Sequence, residues 1–207
     1  MRWWCELLAR PPNPVLPSRS HHASLTQITQ TLSWRSRASH RYHEGMRLEN
    51  KVILITGSVT GIGKAIAKRC VAEGAKVLIH GLESDLGGQT LAELGADKAV
   101  LVVKDLADED APQLLVDQAV AAFGKLDAVV NNAAQVGTGN IHDTDGAWFR
   151  RMLEINCVVP YLLIRAALPH LREARGGVIN IGSVNAWSGE PNLMPYSVSK
   201  GALMTLT

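Results

Sequence analysis

Tyr196 and Lys200 stand four residues apart, and Ser183 precedes the tyrosine by thirteen. On a helix, residues four apart share a face, so an ammonium at position 200 lies beside a phenol at 196 and favours its ionised form. A free tyrosine, with a pKa of about 10, is a poor base near neutrality. Lowering that value by a few units turns it into a usable proton donor and acceptor. Tyr-x-x-x-Lys is short enough to arise by chance, so its meaning depends on the elements that would hold it.

Those elements begin with Val52-Ile-Leu-Ile-Thr56, an apolar, β-branched run that reads as a strand buried on both faces. It runs into Gly57-Ser58-Val-Thr60-Gly61-Ile62-Gly63 and then a helical stretch with Ile66 and Cys70 on one stripe. Strand, glycine turn and helix are the context of a dinucleotide site: glycines let the backbone turn tightly against a pyrophosphate, whose charge the helix N-terminus favours. The spacing is G-x-x-x-G-x-G, not the more general G-x-G-x-x-G.

Taken together, these segments resemble a classical short-chain dehydrogenase/reductase. Thr56 to Gly63 is similar to that family's cofactor motif, and Ser183, Tyr196 and Lys200 match its catalytic residues in identity, order and spacing. Leu126-Asp-Ala-Val-Val-Asn131-Asn132-Ala133-Ala134 resembles its strand-four segment, with alanine where glycine is usual. Asp105-Leu106 resembles the pair that brackets the adenine ring, and Asn156 matches the fourth catalytic position. The resemblance implies a cofactor site built from Gly57, Ser58, Thr60, Gly61, Ile62, Gly63, Asp105, Leu106, Asn132, Ala133, Tyr196 and Lys200. It also implies roles. Ser183 polarises a substrate carbonyl, Tyr196 exchanges the proton, Lys200 bonds the nicotinamide ribose, and Asn156 helps position a water leading to the lysine.

The pattern from Met46 onward alternates. Apolar runs at 52–56, 76–80, 99–103, 127–131 and 178–182 read as strands; segments near 62–73, 86–94, 109–123, 147–172 and from 196 onward read as helices. Such alternation implies an α/β fold, a doubly wound parallel sheet of the Rossmann type. Pro160 inside the long fifth helical stretch is expected to kink it, since it lacks an N–H. Compared with the family, the chain stops seven residues past Lys200, so the sheet is expected to be incomplete at its C-terminal end. Two classes of function follow. One is a hydride-transferring oxidoreductase acting on an alcohol or carbonyl; the other is a non-catalytic nucleotide-binding remnant or interaction module, if the natural product ends at Thr207.

Composition narrows the rest. Residues 1–45 carry Arg2, Arg10, Arg19, Arg35, Arg37 and Arg41 against Glu6 and Glu44, while the whole chain is only +2. Basic character therefore belongs to this leader, and nothing on the domain at 46–207 points to nucleic acid. Four prolines and many polar residues make the leader an expected disordered segment. A misassigned start upstream of Met46 is the leading explanation, with a mitochondrial transit peptide or a functional tail as alternatives. No apolar run of membrane-spanning length is expected, and the location is cytoplasmic unless the leader is a transit peptide. Cys5, Cys70 and Cys157 are too scattered for a disulfide framework or zinc site, and the seven histidines show no ligand spacing.

Cofactor choice rests on the end of the second strand, where acid selects NAD and arginine accommodates NADP. Gly81 and Leu82 occupy the usual positions, and Thr60 is not basic. Glu83 is close enough to repel a 2′-phosphate, which favours NAD, while His80 leaves NADP open. The pocket walls should include 135–147 and 184–195, a small-molecule site, and the full-length protein is expected to be a homo-oligomer.

Overall fold

The structure is a computed structural model that describes residues 46–207. The proposed leader at 1–45, with Cys5, His21 and His22, lies outside the described residues. Five strands form one parallel sheet: β1 (Val52–Ile55), β2 (Lys76–Gly81), β3 (Ala99–Val103), β4 (Ala128–Asn131) and β5 (Gly177–Asn180), in the order β3-β2-β1-β4-β5. The helices between them are α1 (Gly61–Ala72), α2 (Ser84–Leu94), α3 (Ala111–Phe123), α4 (Gly146–Leu153) and α5 (Val159–Ala174); α6 (Asn185–Ser188) and α7 (Met194–Leu206) follow β5. The expected doubly wound α/β sheet is present.

Period-two alternation divides β1 between two cores. Val52 and Leu54 join Leu115, Val116, Leu163 and Ala167 beneath α3 and α5. Ile53 and Ile55 join Ala67, Cys70 and Leu94 beneath α1 and α2. Both faces of the strand are thus covered, which explains why its sequence is continuously apolar. At the strands' opposite end Asp127 is 6% exposed and ties β4 to β1, accepting from the Val52 N–H at 2.9 Å and pairing with Lys51 and Lys125 at 3.0 Å.

The order reverses between β1 and β4. That switch point opens a crevice at the strands' carboxyl ends, where ligands of such sheets bind.

The long fifth helical stretch departs from expectation in an instructive way. The irregularity precedes Pro160: Glu154–Val158 forms a π turn, with the Val159 N–H reaching back to Glu154 O, and Pro160 falls in the first turn of α5. There its missing N–H and fixed φ are tolerated. Because helix continues through the π turn, Gly146–Ala174 does reach the length and apolarity of a membrane span, contrary to the sequence reading. Leu163, Ala167 and Leu171 of this stretch nevertheless pack into the core against α3 and the sheet. The short α6 also went unforeseen, since four residues carry no periodicity.

Candidate active site

The glycine turn leaves β1 and enters α1, and its shape is set by contacts from the ends of β2 and β4 and from α2. A Cβ on Gly63 would overlap Gly57 O and the Asn132 side chain, so only glycine lets the helix start this close to the strand. Gly61 has φ +54 and open space around it, which leaves room at the α1 N-terminus for a phosphate. Asn132 donates through Nδ2 to Thr56 O at 2.9 Å and Gly57 O at 2.8 Å. Thr56 Oγ1 in turn accepts the N–H groups of Asn132 and Ala133, both at 3.1 Å. These bonds lock the β1 and β4 ends into one wall.

His80, at the end of β2, is 2% exposed. Its Nδ1 accepts the Gly57 N–H at 3.2 Å, and its Nε2 lies 2.8 Å from Lys104 O. A carbonyl only accepts, so Nε2 carries the ring proton. Burial pushes the imidazole's pKa down, against the opposing pull of Lys104 O and the Asp105 and Glu83 carboxylates. The ring is neutral and fully bonded, and it has no free donor for a phosphate. Ser58 is likewise turned inward, fully buried, donating to Ile55 O at 2.6 Å and accepting the His80 N–H at 2.9 Å.

A cavity of about 400 Å³ lies over this turn, lined among others by Thr60, Gly61, Ile62, Glu83, Asp105 and Leu106. Gly57, Asn132 and Ala133 also reach it, whereas Ser58 and Gly63 serve the scaffold behind it. The dimensions and the exposed α1 N-terminus fit a dinucleotide's phosphate and adenosine end. Gly81 at the β2 terminus is hemmed in: a Cβ there would overlap Val59 Cγ2. An acidic side chain therefore has no room at 81, and the nearest one, Glu83, stands exposed at the start of α2. Across the cavity Arg151 of α4 pairs with Asp105 at 3.1 Å, and the Ala107 N–H bonds the same carboxylate at 2.9 Å. Backbone bond and guanidinium together hold that carboxyl below its ordinary range, although its partial burial opposes them. Arg151 had no local signal in the sequence, since its partner lies 46 residues away.

The residues expected to carry proton chemistry lie on three elements: Ser183 just past β5, Tyr196 and Lys200 on α7, and Asn156 in the π turn. Lys200 is 2% exposed; its Nζ donates to Ile181 O at 2.7 Å and lies 5.8 Å from the centre of the Tyr196 ring. Burial lowers the ammonium's pKa. Ser183 Oγ accepts the Asn185 N–H at 3.2 Å, and the residue lines a cavity of about 350 Å³ with Trp187, Leu203 and Met204. Asn156 sits inside the π turn, fully buried. Its Oδ1 accepts the Gln135 N–H at 2.7 Å, while Nδ2 donates to Gln135 O at 2.9 Å and Ser199 Oγ at 2.9 Å. Ser199 Oγ passes the link to Tyr196 O at 2.7 Å. Both Nδ2 hydrogens of Asn156 are thus used within the protein, while Oδ1 keeps a second lone pair. Ser199, absent from the sequence-derived site, was legible only as a polar residue between tyrosine and lysine.

The loops meant to wall a substrate pocket are joined. Gly139 bridges to Leu193, donating to Asn192 O at 2.8 Å and accepting from Met194 N at 3.1 Å. Ile141, Val184 and Trp187 stand more than 70% exposed on this rim. Cys70 is a buried core residue and Cys157 lies partly buried in the π turn; among the described residues no cluster could hold a metal ion.

Sequence and structure comparisons agree with this geometry. Residues 51–207 match the family model described as short chain dehydrogenase. The chain is 36% identical over 162 residues to an L-fucose dehydrogenase of Mus musculus, covering 78% of this chain and 59% of that protein. It is 34% identical over 180 residues to a glucose and ribitol dehydrogenase of Daucus carota, covering 82% and 62% respectively. A crystal structure of a short-chain dehydrogenase from Streptomyces avermitilis superposes with a TM-score of 0.71 at 31% identity, covering 75% of this chain and 57% of that one. The chain spans about six tenths of the length of these curated relatives. With its motifs in order, its parallel sheet and its model match over most of its length, the chain belongs to the short chain dehydrogenase family.

Proposed function

We propose that the protein is an oxidoreductase that moves a hydride between a nicotinamide dinucleotide and an alcohol/carbonyl pair. The observation that carries this reading is the placement of Tyr196 and buried Lys200 on one face of α7, in a fold whose switch point presents a glycine turn and an open cavity. When bound, the dinucleotide supplies or accepts the hydride. Everything else falls to the chain. Ser183 donates a hydrogen bond to the substrate oxygen and fixes its position. Tyr196 gives that oxygen its proton in reduction and removes it in oxidation. The Lys200 ammonium, kept dry by burial and seated over the Tyr196 ring, offers donors to a ribose. Asn156 and Ser199 hold the catalytic helix against the loop after β4.

NAD is the proposed cofactor. Glu83 borders the cavity at the ribose end, where its charge repels a 2′-phosphate and its oxygens accept ribose hydroxyls. The inward-facing, fully bonded His80 removes the one group that favoured NADP. Relatives named for fucose, glucose and ribitol put sugars and polyols first among substrates. The exposed Val158, Tyr161 and Leu168 support a homo-oligomer, which sedimentation equilibrium tests.

The decisive experiment is turnover of the whole protein over a panel of polyols and alcohols with NAD and NADP. Dinucleotide binding without turnover of any substrate, with Tyr196→Phe indistinguishable from the native protein, would instead support the non-catalytic nucleotide-binding module.

A further inference from the structure

Among the buried polar groups of the described residues, His80 is the one whose bonds run to the glycine turn from a different strand and which hydride chemistry does not use. Three contacts join it to that turn. The Gly57 N–H donates to Nδ1 at 3.2 Å, the Ser58 N–H donates to His80 O at 2.7 Å, and the His80 N–H donates to Ser58 Oγ at 2.9 Å. The fourth contact, from Nε2 to Lys104 O at 2.8 Å, anchors the ring to the end of β3. The imidazole thus spans the first glycine of the turn and the segment that leads into Asp105, on the adenosine side of the cavity.

We propose that His80 is a positioning residue for dinucleotide binding: its bare Nδ1 holds the Gly57 N–H and thereby the phosphate-binding turn, and protonation of Nδ1 releases that hold. This rests on the dinucleotide reading of the cavity. The inference follows from the chemistry of the two partners. Gly57 N–H can only donate and Lys104 O can only accept, so one tautomer satisfies both, and a ring protonated at both nitrogens sets a proton against the Gly57 N–H. The turn then loses a buried acceptor at the point where the chain leaves β1.

The charged groups around the ring are few. Asp105 faces it from the end of β3 and Glu83 from the end of β2; both favour the protonated ring, and burial outweighs them. Asp105 is itself held ionised by the Ala107 N–H and Arg151, so it does not titrate in the same range. The Lys104 ammonium is engaged with Asp108 at 3.0 Å and Asp110 at 2.9 Å. The β1 and β4 segments against the ring, Thr56 to Val59 and Asn131 to Ala133, carry no charge. The sign follows. A depressed pKa keeps the ring neutral at neutral pH, so the hold is complete there and is lost as pH falls below the ordinary histidine range.

Two substitutions separate the ring's two bonds. His80→Asn places an amide oxygen where Nδ1 lies and does not titrate; His80→Gln reaches toward Lys104 O and offers Gly57 nothing. Calorimetric dissociation constants for NAD at pH 7.5 and 5.0, with melting temperatures alongside, are the measurement. The native protein should lose affinity between the two pH values. His80→Asn should bind NAD within about twofold of native at pH 7.5 and show a flat profile, with Glu83 still present to exclude that carboxylate as the source. His80→Gln should bind about tenfold more weakly at both, the weight of one buried hydrogen bond. Equal affinities for the two variants, or a pH profile that survives in His80→Asn, would overturn the proposal while leaving the dinucleotide reading intact. Failure of the native protein to bind NAD or NADP would overturn both. Should either variant fail to fold, nitrogen-15 spectra of the native protein decide: His80 must show a protonated Nε2 and a bare Nδ1, and the reverse tautomer refutes the hold.

Discussion

Strands β1 and β5 flank the same neighbour, β4, yet they live in different surroundings. Every residue of β1 is at most 5% exposed, whereas Ile179 of β5 is 55% exposed. The segments that follow them differ in the same way. After β1 the turn is bonded to His80, Asn132 and Thr90, the last through its hydroxyl to Val59 O at 2.9 Å. After β5, Val184 and Trp187 stand in solvent, and the residues proposed for catalysis hang on a few hooks: the Lys200 side chain to Ile181 O, and Asn156 through Ser199 to the Tyr196 backbone O. On the proposed reading, binding geometry is therefore set by a buried network joining several strands, and reacting geometry by a few bonds between α7 and its neighbours. Damage to the first region should change affinity and stability together; removing the reacting group itself in the second should change turnover alone, and only its buried support, Asn156, should also carry stability.

The largest expected effect is on the second side. Tyr196→Phe should lower kcat by about a thousandfold, with the NAD dissociation constant within about twofold of native, because the ring stays and only the proton carrier is removed. Parallel loss of affinity would break the division.

On the first side, Gly63→Val should abolish NAD binding and lower the melting temperature as well, since its side chain must displace Gly57 O. Gly61→Val sharpens the test. Its site is open but has φ +54, so the cost is backbone strain of about 1–3 kcal/mol, and a folded protein that does not bind NAD is expected. Identical melting curves for the two would contradict the packing difference.

Asn156→Ala removes the partner of the Gln135 backbone and of Ser199 at once. It should cost about 1–3 kcal/mol of stability in denaturant and lower kcat, while Ser199→Ala should lower kcat with less loss of stability. Equal stability losses would mean that the hook serves only folding.

Asp127 supplies a control far from both regions. Burial alone would raise its carboxyl, but the Val52 N–H and the Lys125 and Lys51 ammoniums more than offset this, so the net shift is downward. A depressed carboxylate stabilises the fold above its unfolded value of about 3.9 and loses that contribution as pH falls through the folded value. Asp127→Asn should thus be destabilised relative to native at pH 7, with the gap closing in acid, as read from urea titrations. The smallest effect is expected at Glu93, whose exposed carboxylate pairs with Lys64 at 2.8 Å and Lys68 at 3.1 Å; Glu93→Gln should move the melting temperature by no more than about a degree.

Much of this molecule was legible along the chain. Continuous apolar runs between helical stretches encode buried parallel strands, because burial on both faces removes the alternation that a half-exposed strand would show. Glycine positions and the Tyr196–Lys200 spacing encode local geometry, which depends on backbone conformation and helix periodicity alone. What stayed hidden depends on contacts between distant segments. That Ser58 faces inward, that Val59 denies Gly81 a side chain, that Arg151 reaches Asp105, and that His80 turns toward Gly57 instead of a phosphate are decided where separate strands meet. The π turn before Pro160 belongs to the same class, since Asn156 there is held by Gln135 and Ser199 from other elements. Local sequence sets the conformational preference of each segment, but the partner of a buried polar atom is fixed only when the sheet has closed and no water remains to satisfy it.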